Sequence, residues 1–319
     1  MNHIDLFLEN YNKHKKETMH KECLVTGCFE KVIKAHSIQN NKILNKLSDN
    51  GEVMYFDFGK PEFPSLMRRI GRGKATTFTG FCSKHDTFIF RPIELKDYVL
   101  GDKEQEFLFA YRAFARAYVI KKSAKNLNER MISELGPGHK AQNIILWEKA
   151  LIRTLAKLEE QKIVLYNNLI NKKFNKLTTN RIVFDLEFSL ATSTTFFLLG
   201  DLNGKVINDP VNPNKYISPF FLNVFPQGGK TYILMSYLSK DKHMYTNVMQ
   251  QILNANVEKQ KNIISNLIII NAENFVFAPD KFERLPLQKQ TYILQTYNKW
   301  ILQQPVKLAP IEDLDIFFH

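Results

Sequence analysis

Residues 23–28 read CLVTGC, residues 35–38 read AHSI, and residues 81–86 read FCSKHD. These three pieces decide how the first hundred residues fold. All three cysteines of the 319-residue chain lie at or before position 82. Three thiols in a chain of this length do not make a disulfide framework, so their clustering asks for a local cause. Cys23 and Cys28 are separated by four residues, with Gly27 allowing a tight turn. Cys82 and His85 have a C-x2-H spacing that puts both side chains on one face of a turn entering a helix. Zinc takes four soft or borderline ligands in a tetrahedron, commonly as two short-spaced pairs. The expected ligand set of a structural Zn²⁺ is Cys23, Cys28, Cys82 and His85, with His36 able to replace His85 as the fourth.

Outward from this cluster, residues 21–100 run in short segments broken by Gly and Pro, as in a small metal-stapled module. Ahead of it, residues 4–18 have the pattern of a short amphipathic helix. From 103 to 127 the period becomes helical: Phe107, Tyr111, Phe114 and Tyr118 recur at three- and four-residue steps, with Arg112, Arg116, Lys121 and Lys122 between them. GPGH at 136–139 breaks the pattern. A second helix is expected over about 140–177, with Ile144, Trp147, Leu151, Leu155, Leu158, Leu165 and Leu169 in one stripe, packed antiparallel to the first.

Beyond 181 the period is two. RIVFDLEFSL, 181–190, alternates as a half-buried strand. Further strands are expected near 193–199, 216–225 and 230–237, the last two joined by a hairpin turn at PQGG. Helices follow near 242–256 and 284–303, with NLIIINA (266–272) as a buried strand between them. The expected fold class is α+β: a zinc module at 1–100, a helical hairpin at 101–180, and an antiparallel sheet with helices at 181–319.

Charge narrows the range of partners. The formal net charge is +12, and it is uneven. Residues 1–100 carry 16 Lys and Arg against 12 acids, residues 101–181 carry 16 against 8, and the remainder is balanced at 12 against 12. A local cationic excess concentrates polyanions, nucleic acid above all. R68-R69-I-G-R72-G-K74-A-T-T reads as a flexible loop whose Arg68, Arg69, Arg72 and Lys74 are candidate phosphate contacts. No apolar run reaches the roughly 18 residues of a membrane span, and the N-terminus lacks a signal-peptide core, so a cytoplasmic location is expected.

Two cysteines, a His ending a short strand, and a second ligand pair opening a helix resemble the zinc-stapled treble clef of HNH endonucleases, over residues 20–95. The resemblance implies a nuclease in which His36 activates water against a phosphodiester. It also implies that Mg²⁺ or Mn²⁺, with Asp86 as a ligand, polarises the phosphate. Ala35 stands where the family has an acid, which keeps a catalytically silent zinc module that binds nucleic acid or protein as the alternative. The layout as a whole resembles uncharacterised bacterial proteins found near phage-defence genes, and a protein partner is expected at the C-terminal domain.

Three further patterns are set aside. GGKT at 228–231 lacks the first glycine of a Walker A loop and sits at a hairpin. Asp185 and Glu187 read as an exposed polar face. His139 and His243 read as surface residues.

Overall fold

The computed structural model describes residues 13–56, 67–135, 139–210, 212, 214–303 and 314–319. Residues 4–12 of the expected N-terminal helix, residues 136–138 of the expected break, and the side chains of Ile144, Trp147 and His139 lie outside this description; residues 13–17 are helical. The first half contributes β1 (Ala35–His36), β2 (Glu52–Phe56), β3 (Met67–Gly71), β4 (Thr77–Phe78), α1 (Ser83–Glu94), α2 (Lys103–Leu135) and α3 (His139–Ile170). The second contributes β5 (Leu177–Phe184), β6 (Leu190–Phe196), β7 (Phe220–Gln227), β8 (Lys230–Leu238), α4 (Lys242–Leu253), α5 (Val257–Asn271), β9 (Phe275–Phe277), α6 (Pro279–Phe282) and α7 (Leu287–Gln303).

The chain is α+β, with an antiparallel seven-stranded sheet in the order β3-β2-β9-β6-β7-β8-β5. The turn at PQGG is as expected. Gln227 faces Lys230 across the hairpin, and Gly228 and Gly229 sit at φ of 60° and 80°, which two-residue primed turns require and side chains resist.

Two expected elements change. RIVFDLEFSL is not one strand, because β5 stops at Phe184 and β6 starts at Leu190. Thr231 fastens the intervening turn, accepting from the Phe188 N–H at 2.8 Å and donating to the Leu186 carbonyl at 2.8 Å. Ile182, Phe184, Phe188 and Leu190 are still buried, but Leu186 is exposed, so the alternation spans a break. NLIIINA is the end of helix α5 rather than a strand. Asn256 caps that helix by accepting from the Lys259 N–H, and Ile263, Ile264, Leu267, Ile268 and Ile269 are all buried. A helix buried around its whole circumference has no polar stripe, so a short apolar window cannot separate it from a central strand.

The sheet has a helical layer on each face. Phe220, Leu222 and Val224 point toward α4, α5 and α7, while Phe221 and Phe225 point toward α2 and α3. The two long helices are antiparallel: Phe107 lies against Phe174 at 5.4 Å between ring centroids, and Tyr118 donates to Glu159. The expected stripe of Phe107, Tyr111, Phe114 and Tyr118 is buried, each side chain contributing about 1.5–3 kcal/mol.

The expected boundary at residue 100 is crossed by the sheet. β2 and β3, from the N-terminal hundred residues, form one edge of it, and β2 pairs with β9. Cys82, Phe81 and Phe90 share one core with α2, α3 and the sheet.

Candidate metal centre and the polar site beside it

The loop from Cys23 to Cys28 is a tight knuckle. The Cys28 N–H donates to the Val25 carbonyl at 3.1 Å, and Gly27, at φ 77°, closes the turn. Leu24 N–H to Gly80 O, and Ile33 N–H to Phe81 O, both 2.9 Å, pin the knuckle to the residues just ahead of Cys82. Helix α1 begins at the next residue, so Cys82 and His85 share its first turn. The four ligand atoms of Cys23, Cys28, Cys82 and His85 all lie within 4.8 Å of one another. Cys28 and Cys82 sulfurs are 3.8 Å apart, and His85 Nδ1 is 3.4 Å from Cys23 Sγ and 3.3 Å from Cys82 Sγ. A tetrahedral ion with sulfur at about 2.3 Å and nitrogen at about 2.0 Å has S–S edges of about 3.8 Å and S–N edges of about 3.5 Å. The four residues fit a metal ion such as zinc. His85, not His36, is the fourth member.

The thiols are set unequally. Burial pushes Cys23 up to about 11. Burial also works against the Cys82 thiolate, but the backbone N–H groups of His85 and Lys84 and the neighbouring thiols hold it below the ordinary value. A helix N-terminus favours a thiolate in this way, and metal binding would displace the remaining protons.

His36 ends β1, which pairs with β4 so that His36 faces Thr77. Its Nε2 lies 3.1 Å from the Arg72 carbonyl, which can only accept. Nε2 therefore carries the proton and Nδ1 the lone pair. Burial lowers the His36 pKa, keeping the ring neutral near pH 7. The loop bearing Arg72 ends at Thr76, a β-branched residue at φ 58°, a conformation that costs about 1–2 kcal/mol. Its carbonyl takes both the N–H (3.1 Å) and the hydroxyl (2.8 Å) of Ser37, the residue after His36.

Asp86 follows the ligand His85 on α1. Burial raises its pKa, opposed by Arg112 and assisted by Glu94, and its Oδ1 is buried without a hydrogen-bond partner. Arg112 is 2 % exposed, pairs with Glu94, and lies 4.1 Å over the Phe90 ring. Among the described residues only the Cys3His group brings three or more candidate ligands together, and neither His36 nor Asp86 belongs to it.

The expected phosphate loop is partly a strand: Arg68 and Arg69 lie on β3, opposite Tyr55 and Met54. Arg69 is bound by Glu283, at 2.7 Å through both Nε and Nη2, and by Asp49 at 2.8 Å; these bonds raise its pKa. Arg72 donates to the Asn40 carbonyl at 2.9 Å. Lys74 is exposed. GGKT is the β7–β8 turn, and Glu187 is held by Lys46 and the Gly229 N–H.

No family model, curated protein or solved structure matches this chain.

Sequence reading missed Arg112 and Arg116 as interior residues. Residues 105–116 are buried without a gap, so the helix has no solvent face over that stretch. The signal was there in FLFAYRAFARAY, where two arginines stand in an otherwise apolar run and so need internal partners.

Proposed function

We propose that the first hundred residues are an HNH-like, treble-clef nuclease module, stapled by Zn²⁺ on Cys23, Cys28, Cys82 and His85 and acting on a nucleic-acid phosphodiester. The hydrogen bond from His36 Nε2–H to the Arg72 carbonyl carries this reading. It presents the tautomer that a base needs, in a ring that burial keeps unprotonated. Nδ1 takes a proton from water as the oxygen adds to phosphorus, and the bond to the leaving oxygen breaks. Asp86, whose buried Oδ1 has no partner, would hold Mg²⁺ or Mn²⁺, which supplies charge at the phosphate when bound.

The test is incubation of purified protein and Mn²⁺ with plasmid DNA and with single-stranded circular DNA, beside His36→Ala. Nicking by the wild type that the variant loses by about 10²-fold or more supports the reading. Equal inactivity, with zinc retained in both, turns it to the second reading, a silent binding module. Two observations favour that second reading: Ala35 replaces an acid, and Arg112 places a cation beside Asp86.

A further inference from the structure

Several arginines of the N-terminal half are tied to the protein's own groups. Arg69, Arg72 and Arg112 bond to acids or carbonyls. The outer side of the metal centre is different. Phe29, directly after the ligand Cys28, is 99 % exposed, and Phe88, three residues after the ligand His85, is 79 % exposed. Lys84, Phe88 and Arg91 succeed one another at steps of four and three, which stacks them in one stripe on the solvent side of α1, and exposed Leu95 caps its end. Phe90 and Ile93 occupy the opposite, buried side. Lys31 and Lys34 are exposed on the segment that follows Phe29. Neither they nor Lys84 and Arg91 pair with an acid among the described residues. The one acid inside the 29–34 segment is Glu30, also exposed.

A fully solvated phenylalanine is uncommon, and here two flank members of one candidate ion site. The four ligand atoms lie within 4.8 Å of one another, so the chain positions from which both rings project are set by one cluster. Exposed aromatic faces interleaved with unpaired cations match a strand whose bases are unstacked and whose backbone is anionic. A duplex keeps its bases stacked inside and offers the rings nothing to stack on.

We propose that Phe29 and Phe88, flanked by Lys31, Lys34, Lys84 and Arg91, form a stacking platform for single-stranded DNA on the outer face of the metal centre. This deepens the nuclease reading by naming an unpaired strand as its substrate; the proposal rests on that reading, whose test is made with DNA. Two bases stack on the two rings while the cations contact the intervening phosphates.

The test is fluorescence anisotropy with a labelled 12-nucleotide DNA strand, the same sequence as a hairpin duplex, and its RNA counterpart, without added Mn²⁺. The expected result is tighter binding of the DNA strand than of the duplex. Phe29→Ala/Phe88→Ala should weaken it roughly tenfold or more with zinc content unchanged. Lys31→Gln/Lys84→Gln/Arg91→Gln should flatten the salt dependence. The assay lacks Mn²⁺ and reads binding alone, so a strand that is bound here but left uncut in the cleavage test fails the nuclease reading and leaves the platform standing. Unchanged binding by the phenylalanine variant, or a preference for duplex, overturns the platform. Tighter binding of the RNA overturns the assignment of the strand as DNA. Binding of anionic lipid vesicles in place of the oligonucleotide also overturns it.

Discussion

At the scale of single residues, the candidate metal ligands were legible because their chemistry is local. Thiols at C-x4-C and a C-x2-H pair carry their own geometry, and the fold only has to bring the two pairs together. Cys82→Ser should therefore abolish stoichiometric zinc, read by elemental analysis, and loosen residues 20–95, read by hydrogen exchange. A variant that retains one zinc per chain would remove Cys82 from the site. His36 carries a different prediction. Its folded pKa lies below the ordinary 6.5, so below pH 6.5 the unfolded chain binds a proton that the folded one refuses. Its contribution to stability is full above pH 6.5 and is lost as pH falls toward the folded value. The slope is below about 1.4 kcal/mol per pH unit, reduced further because the ring is only partly buried. Urea titrations of wild type and His36→Gln between pH 5 and 7.5 should differ in slope on the acid side alone. Parallel curves would mean that the ring is not desolvated.

At the scale of elements, what a segment can decide for itself was readable, and what a neighbour decides was not. The β7–β8 hairpin was legible because two glycines specify its turn. The stripe on α2 was legible because its aromatics recur at helical spacing. α5 was misread because tertiary burial erases the polar face that marks a helix. The pairing of α1 with α2 was invisible as well, because Glu94 and Arg112 are 18 residues apart and meet only once both helices have packed. That pair supports a prediction. Arg112→Leu leaves Glu94 facing an apolar contact and should destabilise the protein by about 3 kcal/mol, the low end for a buried pair, since Glu94 is 31 % exposed. Glu94→Leu/Arg112→Leu should recover most of that loss. A double variant no more stable than Arg112→Leu alone would show that the arginine acts through its stacking on Phe90 rather than through its charge.

At the scale of the whole molecule, one sheet joins strands of the first and third expected units, and the helical pair between them packs on its face. Composition and periodicity change near residues 100 and 180, and such changes usually mark domain edges, but they say nothing about which strands will pair. β9 is three residues long, fully buried, and hydrogen-bonded on one side to β2 and on the other to β6. Phe56 on β2 stacks on Tyr297 at 3.9 Å and meets Phe275 edge-on at 5.3 Å. Asn274, beside β9, donates to the Ser37 hydroxyl at 2.9 Å, next to the candidate base. A chain cut to 101–319 would lose β2 and β3, expose the edge of β9 and open the core around Tyr297. An unpaired apolar edge of that kind recruits other chains. The truncated protein should therefore aggregate or lack a cooperative thermal transition, whereas the full chain should unfold once, with circular dichroism and hydrogen exchange in β2 and β8 coinciding. Should 101–319 be soluble and melt cooperatively with its strand content intact, β2 and β3 would be an appended edge, and the metal module would be free to move independently of the sheet. If the full chain alone folds, any ligand that loads the metal module must also stabilise β8, on the far side of the sheet, because the two share one unfolding equilibrium.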